Sequence, residues 1–204
     1  MPTVVDQDAR TAAHRLARAS TEVFAPAVFA AVMPLVVAVH STAPAVAVGF
    51  GWGLLAVLFC SAVPYAIIWW GVRRGALTDH HIRVRSQRRR PLLLGSLSVL
   101  VGLTALVLLG APPPLVALVV GMLAILAAIL AVNQVWKISA HAAISAASVS
   151  ALIFVFGLVA TPLLGVVAVV GWSRVRLRDH TAAQVVAGTV LGPLVGAPFF
   201  VLLG

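Results

Sequence analysis

Charge is scarce in this chain, and acidic charge is the scarcest. Only 9% of the 204 residues are charged, with five Asp or Glu against 14 Lys or Arg. A soluble globular protein needs more polar residues than this to cover its exterior, whereas lipid surroundings remove that need. Together with a mean hydropathy of +1.11, the shortage of charge excludes the soluble class and predicts an integral membrane protein.

Cysteine and processing signals are also missing. The single cysteine, Cys60, lies inside an apolar run and can form no disulfide within the chain. The N-terminus carries Asp6, Asp8 and Arg10 instead of a compact apolar segment with a cleavage site, so no signal peptide is expected. Without internal repeats or a soluble segment, residues 1–204 are predicted to form a single integral-membrane domain.

Long apolar runs make up most of the chain. A helix that spans a bilayer needs roughly 20 residues, and the run at 161–173 is short, so the pattern predicts an all-α bundle of six or seven membrane helices. Residues 6–20 mix charge with Ala and Leu at helical spacing, and we therefore expect an amphipathic N-terminal segment over 1–22. The apolar runs lie at about 23–39, 46–70, 92–110, 113–135, 142–160, 161–173 and 182–203.

The breaks between these runs are of two kinds. Residues 40–45, 110–114 and 160–162 are short and uncharged, as in tight turns. If every run crosses the membrane, the N-terminal segment, 71–91, 133–141 and 173–181 share the other face, which then holds all 14 Lys and Arg residues. An excess of Lys and Arg marks the cytoplasmic side, so this face is predicted to be cytoplasmic in a multi-pass protein of the cell (plasma) membrane.

Three of the charged segments carry a spaced pattern: Arg83, six residues, then Arg90-Pro91; Ser139-Ala140-His141; and Ser173-Arg174, five residues, His180, three residues, Gln184. Their order and spacing resemble the three-part signature of the type 2 phosphatidic acid phosphatases, a membrane phosphatase superfamily that includes the vanadium haloperoxidases. The resemblance covers residues 83–184. It departs from the family at Arg83 (usually Lys), at Ile138 and Ala140 (Pro and Gly), and at Gln184 (Asp).

A lipid phosphate is a dianion, and arginine binds phosphate oxygens with a planar fork of donors. By the resemblance, Arg83, Arg90 and Arg174 would bind the phosphate. Arg83 and Arg90 are seven residues apart and would share a face if their segment is helical. Ser139 and Ala140 lie at the expected start of a helix, where unpaired N–H groups favour an anion.

The resemblance implies that His180 is the nucleophile that forms a phosphohistidine, and that His141 protonates the leaving alkoxide and later activates water. Gln184 lies one helical turn beyond His180, so its amide oxygen is expected to accept a hydrogen bond from His180 Nδ1. Unlike the family's carboxylate, it cannot stabilise an imidazolium by charge. Asp179 is a second candidate for positioning His180.

The implied reaction is hydrolysis of a phosphomonoester or pyrophosphate of a lipid, either a polyprenyl-linked phosphate or a phosphatidyl phosphate. No cofactor is expected, and no metal, because no His and carboxylate residues stand at ligand spacing in the sequence. The basic residues adjoin apolar runs, which favours membrane lipids over nucleic acid as partners. The alternatives are a non-catalytic lipid-binding or scaffold protein and, with less support, a small transporter, which would need ionisable residues within its helices.

Overall fold

The computed structural model describes residues 11–82 and 84–203, and every regular element in these ranges is helical. This confirms the predicted all-α fold. The helices are α1 (Ala12–Val23), α2 (Pro26–Ser41), α3 (Val46–Val57), α4 (Val63–Arg73), α5 (Arg89–Leu109), α6 (Pro113–Val135), α7 (Ala140–Phe156), α8 (Leu164–Arg176) and α9 (Ala182–Leu203), with a π-helical turn at Leu58–Ala62 and 3₁₀ turns at Arg85–Gln87 and Gly157–Leu163.

Five helical segments are long and apolar enough to cross a membrane, and they make the chain a multi-pass membrane protein. Helices α1 and α2, bent by 46° at their junction, would together form a sixth. The five segments are Val46–Arg73, Arg85–Leu109, Pro113–Val135, Ala140–Arg176 and Ala182–Leu203.

The chain reverses direction within the segment Ala140–Arg176. His141 at its start and Arg174 near its end line the same cavity, although a continuous helix of this length would hold them about 50 Å apart. The reversal lies at Gly157–Leu163, where the backbone tightens into a 3₁₀ turn and Gly157 takes a φ of 75° that glycine adopts readily. Each of the seven apolar runs therefore corresponds to one leg of the bundle.

Helix α1 packs against α8. The Thr21 side chain is buried, its hydroxyl lies 3.4 Å from the Ser173 hydroxyl, and Arg174 donates to it from Nη1 at 3.2 Å. The opposite side of α1, with Arg15 and Arg18, is exposed, as expected for an amphipathic helix. Residues 1–10 of the expected segment lie outside the described residues.

Helices α7 and α9 approach closely because α9 presents glycines to α7. A Cβ at Gly188 would lie 2.5 Å from the Ser139 carbonyl oxygen, and one at Gly192 would overlap the backbone of Ala143. Small residues four apart let two helix backbones approach in a membrane. This contact holds the start of α9, with His180 just before it, against the start of α7, with His141.

The π-helical turn shapes the middle of the bundle. Pro64 cannot donate the backbone hydrogen bond that an α-helix would require of it, and a π turn is a known response to such a loss. The Phe59 carbonyl in this turn accepts a hydrogen bond of 2.7 Å from Ser98 on α5, and Ser61 donates to the Ala27 carbonyl on α2 at 2.8 Å. Cys60 is buried here, as its apolar context predicts.

Candidate functional site

One cavity of about 630 Å³ joins the charged end of the bundle to its apolar interior. Its charged end is formed by residues from the end of α1, the α4–α5 loop, α6, α7, α8 and the α8–α9 loop. The polar lining consists of Glu22, His80, His81, Arg88, Asn133, His141, Arg174 and His180. The deeper lining is apolar and includes Met33, Cys60, Leu118, Met122, Ile125, Leu126 and Phe200.

The cavity also opens sideways between α2 and α4. Val28 and Val32 on α2 and Tyr65 on α4 line the cavity and are 41%, 47% and 46% exposed. Side chains that line a cavity and are this exposed lie near an opening of it. Because α2 and α4 belong to candidate membrane spans, we expect this opening to face lipid, and we name the gap between α2 and α4 the lateral opening.

Arg174 is the most deeply placed charge in the cavity. It is 2% exposed, and its Nη2 lies 2.9 Å from Asp179 Oδ2, while Nη1 donates to Thr21. Its carbonyl oxygen accepts the backbone N–H groups of both Asp179 (3.1 Å) and His180 (3.2 Å). The tight turn after α8, in which Arg178 has a φ of 56°, therefore fixes Arg174, Asp179 and His180 relative to one another.

Gln184 positions His180 as the sequence predicts. Its Oε1 lies 3.2 Å from His180 Nδ1. The same Oε1 accepts the Thr181 N–H at 3.2 Å, and the Thr181 hydroxyl accepts the Gln184 N–H at 3.3 Å. These reciprocal bonds form a capping box at the start of α9, a Thr-x-x-Gln signal that we had not considered from the sequence. Because Oε1 can only accept, His180 Nδ1 is the donor and Nε2 keeps its lone pair.

The surroundings of His180 keep its imidazole neutral. The residue is buried, and burial is the largest cause that lowers its pKa, followed by the charges of Lys137, Arg174 and Arg88; together they bring the pKa to about 3. The hydrogen bond to Gln184 opposes this shift only in part. Lys137 is held nearby because its Nζ donates to the Asp179 carbonyl at 2.7 Å. A neutral imidazole beside three cations suits attack on an anion.

His141 lies in the first turn of α7 and lines the same cavity. It is 6% exposed, and its Nε2 is buried without a hydrogen-bond partner among the residues that the structure describes. Its ring lies 5.3 Å from that of His81, centroid to centroid. A buried polar nitrogen without a partner is costly, so a bound ligand at the cavity would complete its environment.

The start of α7 offers less to an anion than the sequence suggests. Ser139 is fully buried and is absent from the cavity lining, because its hydroxyl caps α7 by accepting the Ala142 N–H at 3.3 Å. The Ser139 N–H itself donates to the Gln184 carbonyl at 3.3 Å. Ala140 does line the cavity, so of these two positions only Ala140 could offer its N–H to a ligand.

The arginines of the first motif are arranged differently from the expectation. Helix α5 begins only at Arg89, and residues 84–88 form no α-helix. The two helical turns that would place Arg83 and Arg90 on one face are therefore absent from the described part of this segment. Arg90 is exposed and lies outside the cavity lining, and Arg83 lies outside the described residues. Among the described residues of this segment, Arg88, which the motif spacing does not include, is the arginine that lines the cavity.

Arg88 is held in place by three hydrogen bonds. Its Nε donates to the Ile82 carbonyl at 2.8 Å, and its Nη1 donates to Asn133 Oδ1 at 3.2 Å and to the Ile138 carbonyl at 3.3 Å. Ile82 has a φ of 47°, a strained value for a β-branched residue. The guanidinium is therefore fixed at the cavity wall, and its Nη2 takes part in none of these bonds.

A second set of polar groups, which the sequence pattern did not reveal, lies at the cavity mouth. Glu22 at the end of α1 contacts both histidines of the α4–α5 loop, with His81 Nε2 at 2.9 Å from Oε1 and His80 Nε2 at 3.3 Å from Oε2. No metal was expected, because the sequence shows no set of His and carboxylate residues at ligand spacing. The fold supplies such a set from residues almost 60 positions apart in the sequence.

Comparisons of the chain with protein-family models, with curated proteins and with solved structures give no match.

Proposed function

We propose that this protein is an integral-membrane phosphatase that hydrolyses a phosphomonoester or pyrophosphate of a lipid. The observation that carries the proposal is the single cavity that joins two buried arginines and two buried histidines to a long apolar interior. The charged end suits a phosphate head group, and the apolar part suits a lipid tail. A polyprenyl-linked phosphate and a phosphatidyl phosphate both have this chemistry, and the resemblance to type 2 phosphatidic acid phosphatases supports the reaction class.

The proposed reaction has two steps. In the first, His180 Nε2 attacks the terminal phosphorus while Arg88 and Arg174 hold its oxygens, and the bond from this phosphorus to the leaving oxygen breaks. The leaving group, which is the lipid alkoxide of a phosphomonoester or the lipid phosphate of a pyrophosphate, takes a proton from His141. In the second, His141 removes a proton from water, the water attacks the phosphohistidine, and inorganic phosphate leaves with His180 restored.

The test of this function is phosphate release by the purified protein in lipid vesicles. We expect turnover of at least one member of a panel that contains phosphatidic acid, a polyprenyl phosphate and a polyprenyl pyrophosphate, without added metal. A water-soluble phosphate ester without a tail should react far more slowly, because tail binding positions the head group. If no member of the panel releases phosphate, the hydrolase proposal fails.

Gln184 favours a second candidate, a non-catalytic lipid-phosphate-binding protein. The capping box gives Gln184 a structural role that needs no catalysis, and an amide cannot support an imidazolium by charge as a carboxylate does. Saturable binding of a lipid phosphate in the same vesicles, without phosphate release, would support this second function over the first.

We also propose that the protein resides in the cell (plasma) membrane with the cavity mouth on the cytoplasmic side. The support is the basic composition of this end of the bundle, where Arg73 and Arg74 at the end of α4 are exposed and need not serve the site. Membrane lipids and the lipid phosphate substrate are the proposed partners, and the proposed reaction needs no cofactor.

Single-cysteine labelling tests this orientation. In intact cells, an impermeant maleimide should not label Ala76→Cys, in the exposed loop after α4, until the cells are permeabilised. Ala45→Cys, in the loop at the opposite end of the bundle, should be labelled at once. The native Cys60 is buried and contributes little background. Immediate labelling of position 76 together with protection of position 45 would reverse the proposed orientation.

A further inference from the structure

Glu22, His80 and His81 form a cluster at the cavity mouth in which one ligand atom from each residue lies within 4.8 Å of the others. Each histidine faces a different oxygen of the same carboxylate, at 3.3 Å for His80 and 2.9 Å for His81. The two imidazole rings are 4.1 Å apart, centroid to centroid. The chain therefore brings two imidazole nitrogens and a carboxylate to one point.

Two histidines and one carboxylate are a ligand set that suits zinc and related divalent transition metals. In a tetrahedral site with bonds of about 2.0–2.1 Å, ligand atoms lie about 3.3–3.4 Å from one another. Glu22 approaches the two histidines at distances near this value, through a different oxygen for each, so the side chains would rotate to bring the three ligand atoms around one ion. Glu22 and His80 are about half exposed, which gives the ion a path from water.

A second, independent observation comes from His141. It lines the same cavity, is 94% buried, and its Nε2 is without a hydrogen-bond partner among the described residues. Its ring lies 5.3 Å from that of His81, centroid to centroid. A three-ligand site keeps a fourth position for water or substrate. His141 lines the same cavity as the cluster, so a group bound at that position could form a hydrogen bond with its ring.

We propose that Glu22, His80 and His81 bind a divalent transition metal, with zinc as the best fit, at the mouth of the cavity and beside His141. The Asp79 carboxylate supports the loop, because its Oδ1 accepts the His81 N–H at 2.9 Å.

The neighbouring arginines predict that the metal and an anion bind cooperatively. Arg174 and Arg88 line the same cavity as His81, and a metal ion at the cluster would be repelled by both arginines until an anion lies between them. Phosphate should therefore tighten metal binding, and the metal should tighten phosphate binding by the same factor. This coupling rests on the proposed function, whereas the metal site itself rests on the cluster alone.

Cobalt binding tests the site directly. The protein would be purified without a polyhistidine tag, stripped with a chelator and titrated with Co²⁺, whose visible absorption reports tetrahedral coordination. We expect about one Co²⁺ per chain, displaced by Zn²⁺, and a loss of affinity of at least about 10-fold in Glu22→Gln and in His81→Ala. His40→Ala is the matched control, since His40 lies at the opposite end of the bundle against Phe156.

The outcomes separate this proposal from the phosphatase proposal. Thermal unfolding of each metal-free variant checks that the fold is retained, and His80→Ala, at an exposed position, is the variant least able to disturb it. If Co²⁺ fails to bind, or binds equally to all variants, the cluster is an ion pair only. Co²⁺ binding without turnover of any lipid phosphate would keep the metal site and remove the phosphatase. Inorganic phosphate is the probe for the coupling, and Co²⁺ affinity that does not change with phosphate would refute it.

Discussion

Replacing His180 by Ala should abolish phosphate release, with a loss of about 10³-fold or more, because the covalent step then lacks its nucleophile. The measurement is initial turnover of the best lipid substrate in vesicles. In the unaltered protein, a rapid acid-free quench should trap a phosphohistidine that is absent from His180→Ala. Because the pKa of His180 is about 3, protonation of this residue should cause no loss of kcat/KM at about pH 5 to 8.

Gln184 supplies the controls for this experiment. Gln184→Leu removes both the acceptor for His180 Nδ1 and half of the capping box, so turnover should fall while KM changes little. Gln184→Glu keeps the oxygen that accepts both hydrogen bonds and adds a negative charge that stabilises the imidazolium, so it should retain or raise kcat. Activity in His180→Ala equal to that of the unaltered protein would exclude His180 as nucleophile, and unchanged kcat in Gln184→Leu would exclude Gln184 as its positioning residue.

Arg88→Ala should reduce turnover by about 30-fold to several thousand-fold, because loss of one desolvated charge contact costs about 2–5 kcal/mol. Arg90→Ala should leave turnover close to that of the unaltered protein. These two variants distinguish the two possible phosphate contacts. The motif spacing assigns the contact to Arg90, whereas the structure places Arg88 in the cavity. Phosphate release and phosphate competition with the lipid are the two measurements.

The fold of the Arg88 variants needs its own control, because this side chain also donates hydrogen bonds to the Ile82 and Ile138 carbonyls. Arg88→Lys keeps the charge but loses the planar fork, so it should fold and still bind phosphate weakly. Thermal unfolding in detergent checks each variant. A large loss in Arg90→Ala with normal turnover in Arg88→Ala would show that the motif, not the cavity, identifies the phosphate contact.

The helical legs of the bundle were predictable because lipid imposes a simple requirement on sequence. Each leg must be apolar over most of its length, so the seven runs were visible directly, and the breaks between them alternated between turn residues and basic residues. The bond from His180 to Gln184 was also predictable, since a separation of four residues places two side chains on one helical face. Both features are local in the sequence.

The features that the sequence did not predict depend on where helices begin and on contacts between distant segments. Arg88 and Arg90 are only two positions apart, and α5 begins between them at Arg89, so the motif spacing alone could not show which of them faces the cavity. Glu22 meets His80 and His81 only because α1 packs against α8 and turns its end toward the α4–α5 loop. The spacing of residues within one segment of the sequence could not reveal this contact between distant segments.

The lateral opening between Val28, Val32 and Tyr65 determines how the proposed substrate would be supplied. A lipid that enters there never leaves the bilayer, so the concentration that governs its encounter with the site is its mole fraction among the membrane lipids, not its amount per volume of water. Dilution of the surrounding aqueous phase would leave that encounter rate unchanged, whereas added inert lipid would lower it. For such a protein, the composition of the membrane is itself the substrate reservoir.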